Sequence, residues 1–208
     1  MSALPLFESA AKGRIAAMVG EIEAGTSAEI VVVVRIRSGY YRHTDYLVGS
    51  LCALAAVMVF LFHPRPFDDR LLPFALVLSF ALGALFSSRA EPLRRALTRR
   101  GLLEGNVRTT ARAVFVEHGV SRTTGRTGLL VYASIFERHV ELVADVGIDE
   151  ETLGAGYLQA KRALSVVLRS SIETSAFEHA LRRLAAPLAE GLPRAADDVN
   201  ELLDEVRS

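Results

Sequence analysis

Asp145 ends the run VELVAD immediately before Val146 and Gly147. A carboxylate at a strand end in an α/β chain can bind a divalent ion, attack a phosphoryl centre or act as a base. An aspartate before a glycine can equally cap a turn. A second polar group lies in the turn SRTTGRT, where Arg122, Thr123, Thr124, Arg126 and Thr127 gather guanidinium and hydroxyl donors. Those donors suit a phosphate oxygen, although a solvated loop has the same composition. Glu29 opens an apolar run, and if that run is buried its charge needs a cation, with Arg126 and Arg138 the candidates. Asp149 and Glu150 fall where they can cap a following helix.

Other chemistries have less to build on. Cys52 is the single cysteine and sits inside an apolar run, so neither a disulfide framework nor a thiolate metal site is expected. His43, His63, His118, His139 and His179 show no pair at helical ligand spacing, and no metal is assigned to them. The chain lacks a phosphate-binding G-x-x-x-x-G-K-[ST] loop, a G-x-S-x-G elbow and an H-E-x-x-H helix, and Gly154-Ala155-Gly156 falls short of a dinucleotide fingerprint. No cofactor is therefore expected, beyond a divalent ion that Asp145 could hold. Lys and Arg total 24 against 24 Asp and Glu, so no overall field draws a nucleic acid, and none is expected as a partner.

The elements that must position these residues fall into two kinds. Residues 46–62 and 71–88 carry no charge and are separated only by HPRPFDDR. Each run gives roughly 25–27 Å of helix against a hydrocarbon core of about 30 Å, which predicts a two-span transmembrane hairpin over residues 45–88. Pro64 and Pro66 lie in its turn, and Pro73 falls in the first turn of the second helix, where a missing amide proton costs little. Gly49 with Ala53, and Ser79 with Gly83, space small residues one helical turn apart, which permits close helix approach within the hairpin or between copies, a homo-oligomer included. Arg35, Arg37 and Arg42 precede the spans and Arg89, Arg94, Arg95, Arg99 and Arg100 follow them, against Arg65 and Arg70 offset by Asp68 and Asp69 in the turn. The positive-inside bias then places both termini in the cytoplasm. Arg94, Arg95, Arg99 and Arg100 are expected to touch anionic headgroups, at about 1 kcal/mol per residue near the surface.

Outside the hairpin the pattern is that of a globular α/β domain. Phe7, Ala11, Ile15, Met18 and Ile22 recur on one helical face, and the charges at Glu8, Lys12 and Arg14 leave no uninterrupted apolar core for a secretory signal. Residues 28–36, AEIVVVVRI, read as a central strand buried on both faces. A helix over 107–120 should feed a strand over 128–134, GLLVYAS, which pairs antiparallel with 139–144. Helices are expected over roughly 150–170, with Tyr157, Leu158, Ala160, Leu164 and Val167 available to the core, then over 172–192 and 197–206. The five acids of 197–205 suit helix capping, a docking face or a solvated end. The strand 28–36 finds no partner before residue 120, so residues 1–44 and 89–208 form one discontinuous domain around the inserted hairpin.

EIVVVV with Ser38-Gly39-Tyr40, ARAVFVEHGVSRTTGRTGLLVYAS, ERHVELVADVGID and DDVNELLDEV together resemble the TPM domain family, in its uncharacterised bacterial membrane-protein branch. The resemblance implies a three-layer α/β domain with a mixed sheet and covering helices beside a membrane, here the bacterial inner membrane. It implies a role in maintaining or assembling membrane protein complexes, with a membrane protein as partner, and in some members weak phosphatase activity. The expected function is thus a membrane-anchored interaction or assembly module, with a phosphatase-like hydrolase using Asp145 as the alternative.

Overall fold

The computed structural model describes residues 6, 8–64, 68–170, 172–194, 201–202 and 206–207. The chain divides into two compact units, one of residues 1–38 with 104–208 and one of residues 39–103.

The larger unit is α/β. Its sheet has the order β3-β2-β1-β4, with β1 (Glu29–Arg35) parallel to β2 (Gly128–Ser134) and to the short β4 (Val206–Arg207), and β3 (His139–Ala144) antiparallel to β2. The apolar runs Ile30–Val34 of β1 and Leu129–Val131 of β2 follow from this position, because both strands are covered on both faces. Ile30, Val32, Val34, Leu129, Val131 and Ala133 face a core closed by α1 (Ser9–Glu23), α6 (Gly154–Ser170), α7 (Thr174–Arg182) and α8 (Ala185–Gly191). Val31, Val33, Leu130 and Tyr132 face Val107, Ala111 and Val114 of α5 (Arg100–Glu117). Period-2 alternation thus separates two cores from one pair of strands. The side of β1 away from β2 is also closed, since Glu23 Oε1 accepts from Ile30 N at 2.6 Å ahead of the two residues that pair with β4. A filled strand edge offers no template to another chain.

Several boundaries differ from the pattern reading. The stretch 172–192 is two helices, because the ring of Pro187 cannot share a helix with the carbonyl four residues earlier, and the chain turns at Arg183 and Leu184. Helix α6 starts at Gly154, whose φ of +70° follows the turn held by Asp149, which accepts from Glu151 N at 3.1 Å and Thr152 Oγ1 at 2.6 Å. Leu158, assigned to the core, is 39% exposed, whereas Tyr157, Ala160 and Leu164 are buried. The helix expected over 197–206 lies mostly outside the described residues, and its last position, Val206, is in β4, paired with Val32. Phe7 is also outside the described residues.

Tyr157 is fully buried, and among the described residues its hydroxyl has no hydrogen-bond partner. Burial pushes its pKa well up, with Glu150 adding to the shift, so the group stays neutral. An orphaned buried hydroxyl costs about 1–3 kcal/mol, and Tyr157→Phe is expected to leave stability unchanged or raise it by about 1 kcal/mol in thermal denaturation.

The smaller unit holds α2 (Arg42–Phe62), a 3-10 turn (Asp69–Leu71), α3 (Leu72–Arg89) and α4 (Glu91–Leu97). Helices α2 and α3 meet along small residues. An added Cβ on Gly83 would lie 3.2 Å from Gly49 Cα and 2.6 Å from Cys52 Sγ, and Tyr46 stacks on Phe80 at 6.5 Å between centroids. Outside that seam the two helices are apolar and exposed. Only 6% of the apolar window of one and 11% of the other are buried, and both are long and apolar enough to cross a membrane.

Candidate functional site

The sequence-selected residues gather at one end of the sheet. Because β3 runs antiparallel, its carboxyl end lies beside the amino ends of β1 and β2, and Asp145 N donates to Gly128 O at 2.9 Å. Asp145 is therefore at the opposite end of the sheet from the carboxyl ends of the parallel strands, where open α/β sheets bind ligands. Its Oδ1 accepts from Val146 N at 2.8 Å and from Arg126 Nη2 at 2.9 Å, which closes the turn. Its Oδ2 is buried without a hydrogen-bond partner among the described residues. Arg126 holds a left-handed φ of 56°, and its carbonyl accepts from Gly147 N at 2.9 Å, so the pair joins the two turns flanking β2 and β3. Arg126 thus serves Asp145, while Glu29 Oε2 accepts from Leu202 N at 3.2 Å. Arg122 is exposed. Thr124 N, the amide that the turn could offer a phosphate, donates instead to both Glu201 carboxylate oxygens at 3.0 Å.

A denser polar cluster occupies the carboxyl ends of β1 and β2, and sequence reading passed over it. Ser38 Oγ lies 2.8 Å from Ser134 Oγ and 2.9 Å from the Tyr132 hydroxyl. Ser134 Oγ donates in turn to Glu137 Oε2. Glu137 Oε1 accepts from Ser38 N at 2.9 Å, and Thr110 Oγ1 of α5 donates to Ser38 O at 3.1 Å. Tyr132, Ser134 and Glu137 are buried. Burial raises the Tyr132 pKa, the Ser38 hydrogen bond lowers it, Glu137 raises it and Arg35 lowers it; the net shift is upward, and the hydroxyl remains a donor. The available signal was the two-residue spacing of Tyr132 and Ser134, which puts both polar groups on one face of an otherwise apolar strand.

Beside this cluster His139 pairs across the ladder with Ser134, and its Nε2 lies 3.2 Å from Glu141 Oε2. Burial acts to raise the Glu141 pKa, but the His139 hydrogen bond and charge, with Arg108 and Lys161, outweigh it and hold the carboxyl below its ordinary range. A folded-state pKa below the unfolded value stabilises above the unfolded pKa, and that contribution is lost as pH falls through the folded one. Glu141→Gln is therefore expected to make stability less steep in pH below about pH 4 in acid titrations followed by circular dichroism.

In the smaller unit the polar groups sit where α2 begins and α3 ends. Asp45 Oδ1 accepts from Ser87 Oγ at 2.8 Å and Arg94 Nε at 3.1 Å, and its Oδ2 accepts from Arg94 Nη2 at 2.8 Å. Thr44 Oγ1 and Thr98 Oγ1 are 3.2 Å apart, and Thr98 donates to Arg94 O at 2.8 Å. Arg94 was expected at the headgroups, but it is 7% exposed and its guanidinium is committed to Asp45. Arg99 and Arg100 are exposed and Arg95 is half-buried, so these three, with exposed Arg42 and Arg89, remain the basic face of this end.

Among the described residues, no group of three or more His, Cys, Asp or Glu side chains comes together that could hold a metal ion. No family model matches the chain, and no curated protein matches it. Among solved structures it is similar to the NMR structure of BA42 protein from the psychrophilic bacterium Bizionia argentinensis, with a TM-score of 0.57 and 14% identity over 100% of this chain and 99% of that one. At that identity the likeness is one of fold.

Proposed function

We propose that the chain is a membrane-anchored α/β module of the TPM type, whose hairpin spans the bacterial inner membrane and whose larger unit binds a membrane protein complex that it helps to assemble or maintain. The observation that carries this reading is the surface of α2 and α3. Leu51, Leu54, Val59, Phe62, Phe74, Val77, Leu82 and Phe86 are all more than half exposed, while the contact between the helices is made at Gly49 and Gly83. In water such a surface far exceeds the few hundred Å² of contiguous apolar patch that a soluble monomer carries. In a bilayer it is the ordinary exterior of a spanning pair, with small residues at the seam. The basic residues Arg42, Arg89, Arg95, Arg99 and Arg100 flank the open end of the hairpin, and Asp68 and Asp69 offset Arg70 at its turn, which favours cytoplasmic termini.

The hydrolase alternative has less support. Asp145 Oδ1 is engaged by Arg126 and Val146, and the nearby Thr124 amide already holds a carboxylate. The module reading predicts that the full-length chain, extracted in mild detergent, migrates in native electrophoresis within a complex larger than its own micelle and crosslinks in cells to a membrane protein. Migration as a monomer without crosslinks would leave an anchor with no assembly role.

A further inference from the structure

We propose that Ser38 is a nucleophilic serine whose proton passes through Ser134 to Glu137, making the carboxyl ends of β1 and β2 a site for acyl transfer from carboxylic esters. This inference does not depend on the membrane reading, since every residue of the cluster belongs to the larger unit.

Counting protons fixes the direction of the chain. Glu137 as a carboxylate only accepts, so the single proton of Ser134 Oγ goes to Glu137 Oε2. Ser38 must then donate its own proton to Ser134 Oγ, and the Tyr132 hydroxyl donates to Ser38 Oγ. Ser38 is the one of the three residues that is not fully buried, and its proton already points along a path that ends on a buried carboxylate. The residue is also held from both sides of its backbone, with Ser38 N on Glu137 Oε1 and Ser38 O on Thr110 Oγ1. A reacting group fixed by its neighbours in this way loses little freedom on reaction. Capping the end of a sheet does not require three hydroxyls and a carboxylate in series, and buried polar groups are costly unless each is paired. Among the described residues, the buried nitrogens without a hydrogen-bond partner at this end include Arg35 Nε, Arg138 Nε and His139 Nδ1. Arg35 is the ladder partner of Ser134 on β1, which sets a cation beside the cluster.

In the step proposed, Ser38 Oγ bonds to the ester carbonyl carbon while its proton moves to Ser134 Oγ and the Ser134 proton moves to Glu137. Collapse of the tetrahedral adduct breaks the bond to the leaving alkoxide, which takes the proton back from Glu137. Water then hydrolyses the acyl-serine by the same relay, giving one acid and one alcohol per ester and water.

The test treats the full-length chain in dodecylmaltoside with a fluorophosphonate probe, whose phosphorus bonds to Oγ as fluoride leaves, and maps the label by mass spectrometry beside turnover of p-nitrophenyl acetate. Label and turnover are expected at Ser38 and absent in Ser38→Ala. Glu137→Gln keeps the size and an acceptor for Ser38 N, and is expected to slow labelling about a hundredfold or more and to flatten its rise with pH. Glu137→Asp should recover part of the rate. Should Glu137→Gln fail to fold by circular dichroism, Ser134→Ala interrupts the relay and leaves both backbone contacts of Ser38 in place. No label on Ser38 in the unaltered chain, or labelling at the unaltered rate in a folded relay variant, would overturn the proposal.

Discussion

Arg94→Met is expected to destabilise the smaller unit by about 3–5 kcal/mol, the cost of leaving one member of a buried ion pair uncompensated. The Arg94 and Asp45 side chains are 8% and 13% exposed, and the guanidinium grips both carboxylate oxygens. Without it Asp45 keeps the Ser87 hydroxyl as a hydrogen-bond donor. The same bidentate contact ties α4 to the start of α2. The companion test is the double variant Asp45→Asn with Arg94→Met, which removes both charges and should recover most of the loss, because a buried pair replaced whole is often neutral. The chain contains no tryptophan, so unfolding is best followed by far-ultraviolet circular dichroism in micelles. Equal destabilisation in the single and double variants would show that the charges are not what matters.

Gly128→Ala carries the second large effect. A Cβ on Gly128 would stand 2.0 Å from the Val120 carbonyl oxygen and 2.8 Å from its Cγ1, so a backbone segment must move to admit one methyl group. Overpacking against flexible side chains costs about 1–3 kcal/mol. A clash with backbone at the root of a central strand should reach the top of that range. The loss would propagate to Asp145, whose amide donates to the Gly128 carbonyl, and to the Arg126 turn. Thermal denaturation should show a drop of at least about 3 kcal/mol, and unchanged stability would mean that the 120–128 loop is far softer than its contacts indicate.

Much of the fold was legible in the sequence where a single physical signal dominated. Residues 30–34 are five consecutive β-branched apolar residues, a run that suits a strand covered on both faces, as β1 is. The pairing of 128–134 with 139–144 followed from their closeness in sequence and the alternation of Val140 and Leu142, and β2 and β3 do pair antiparallel. The two uncharged runs were equally plain as long apolar helices. The misreadings have local causes. Pro187 breaks a periodicity that continues smoothly on both sides of it. Arg94 looked like any other arginine of a basic stretch, because its partner Asp45 is 49 residues away.

The polar sites divide in the same way. Asp145 stood out because it closes a strand before glycine, and the antiparallel pairing of 139–144 was expected, but not that β1 runs parallel to β2, which sets the ligand crevice at the opposite end of the sheet. The Ser38 cluster was hidden because its members come from β1's end, β2, the β2–β3 turn and α5, separations of up to 99 residues that no local pattern records.

The proposed function rests on α2 and α3 crossing a bilayer. The most direct measurement is extraction of cell membranes containing the full-length chain with alkaline sodium carbonate, together with cysteine accessibility at single cysteines placed in a Cys52→Ser background at positions 63 and 100. The chain is expected to stay in the membrane pellet, and a membrane-impermeant thiol reagent added to intact spheroplasts to label position 63 and spare position 100. Release into the carbonate supernatant, or equal labelling of both positions, would contradict it.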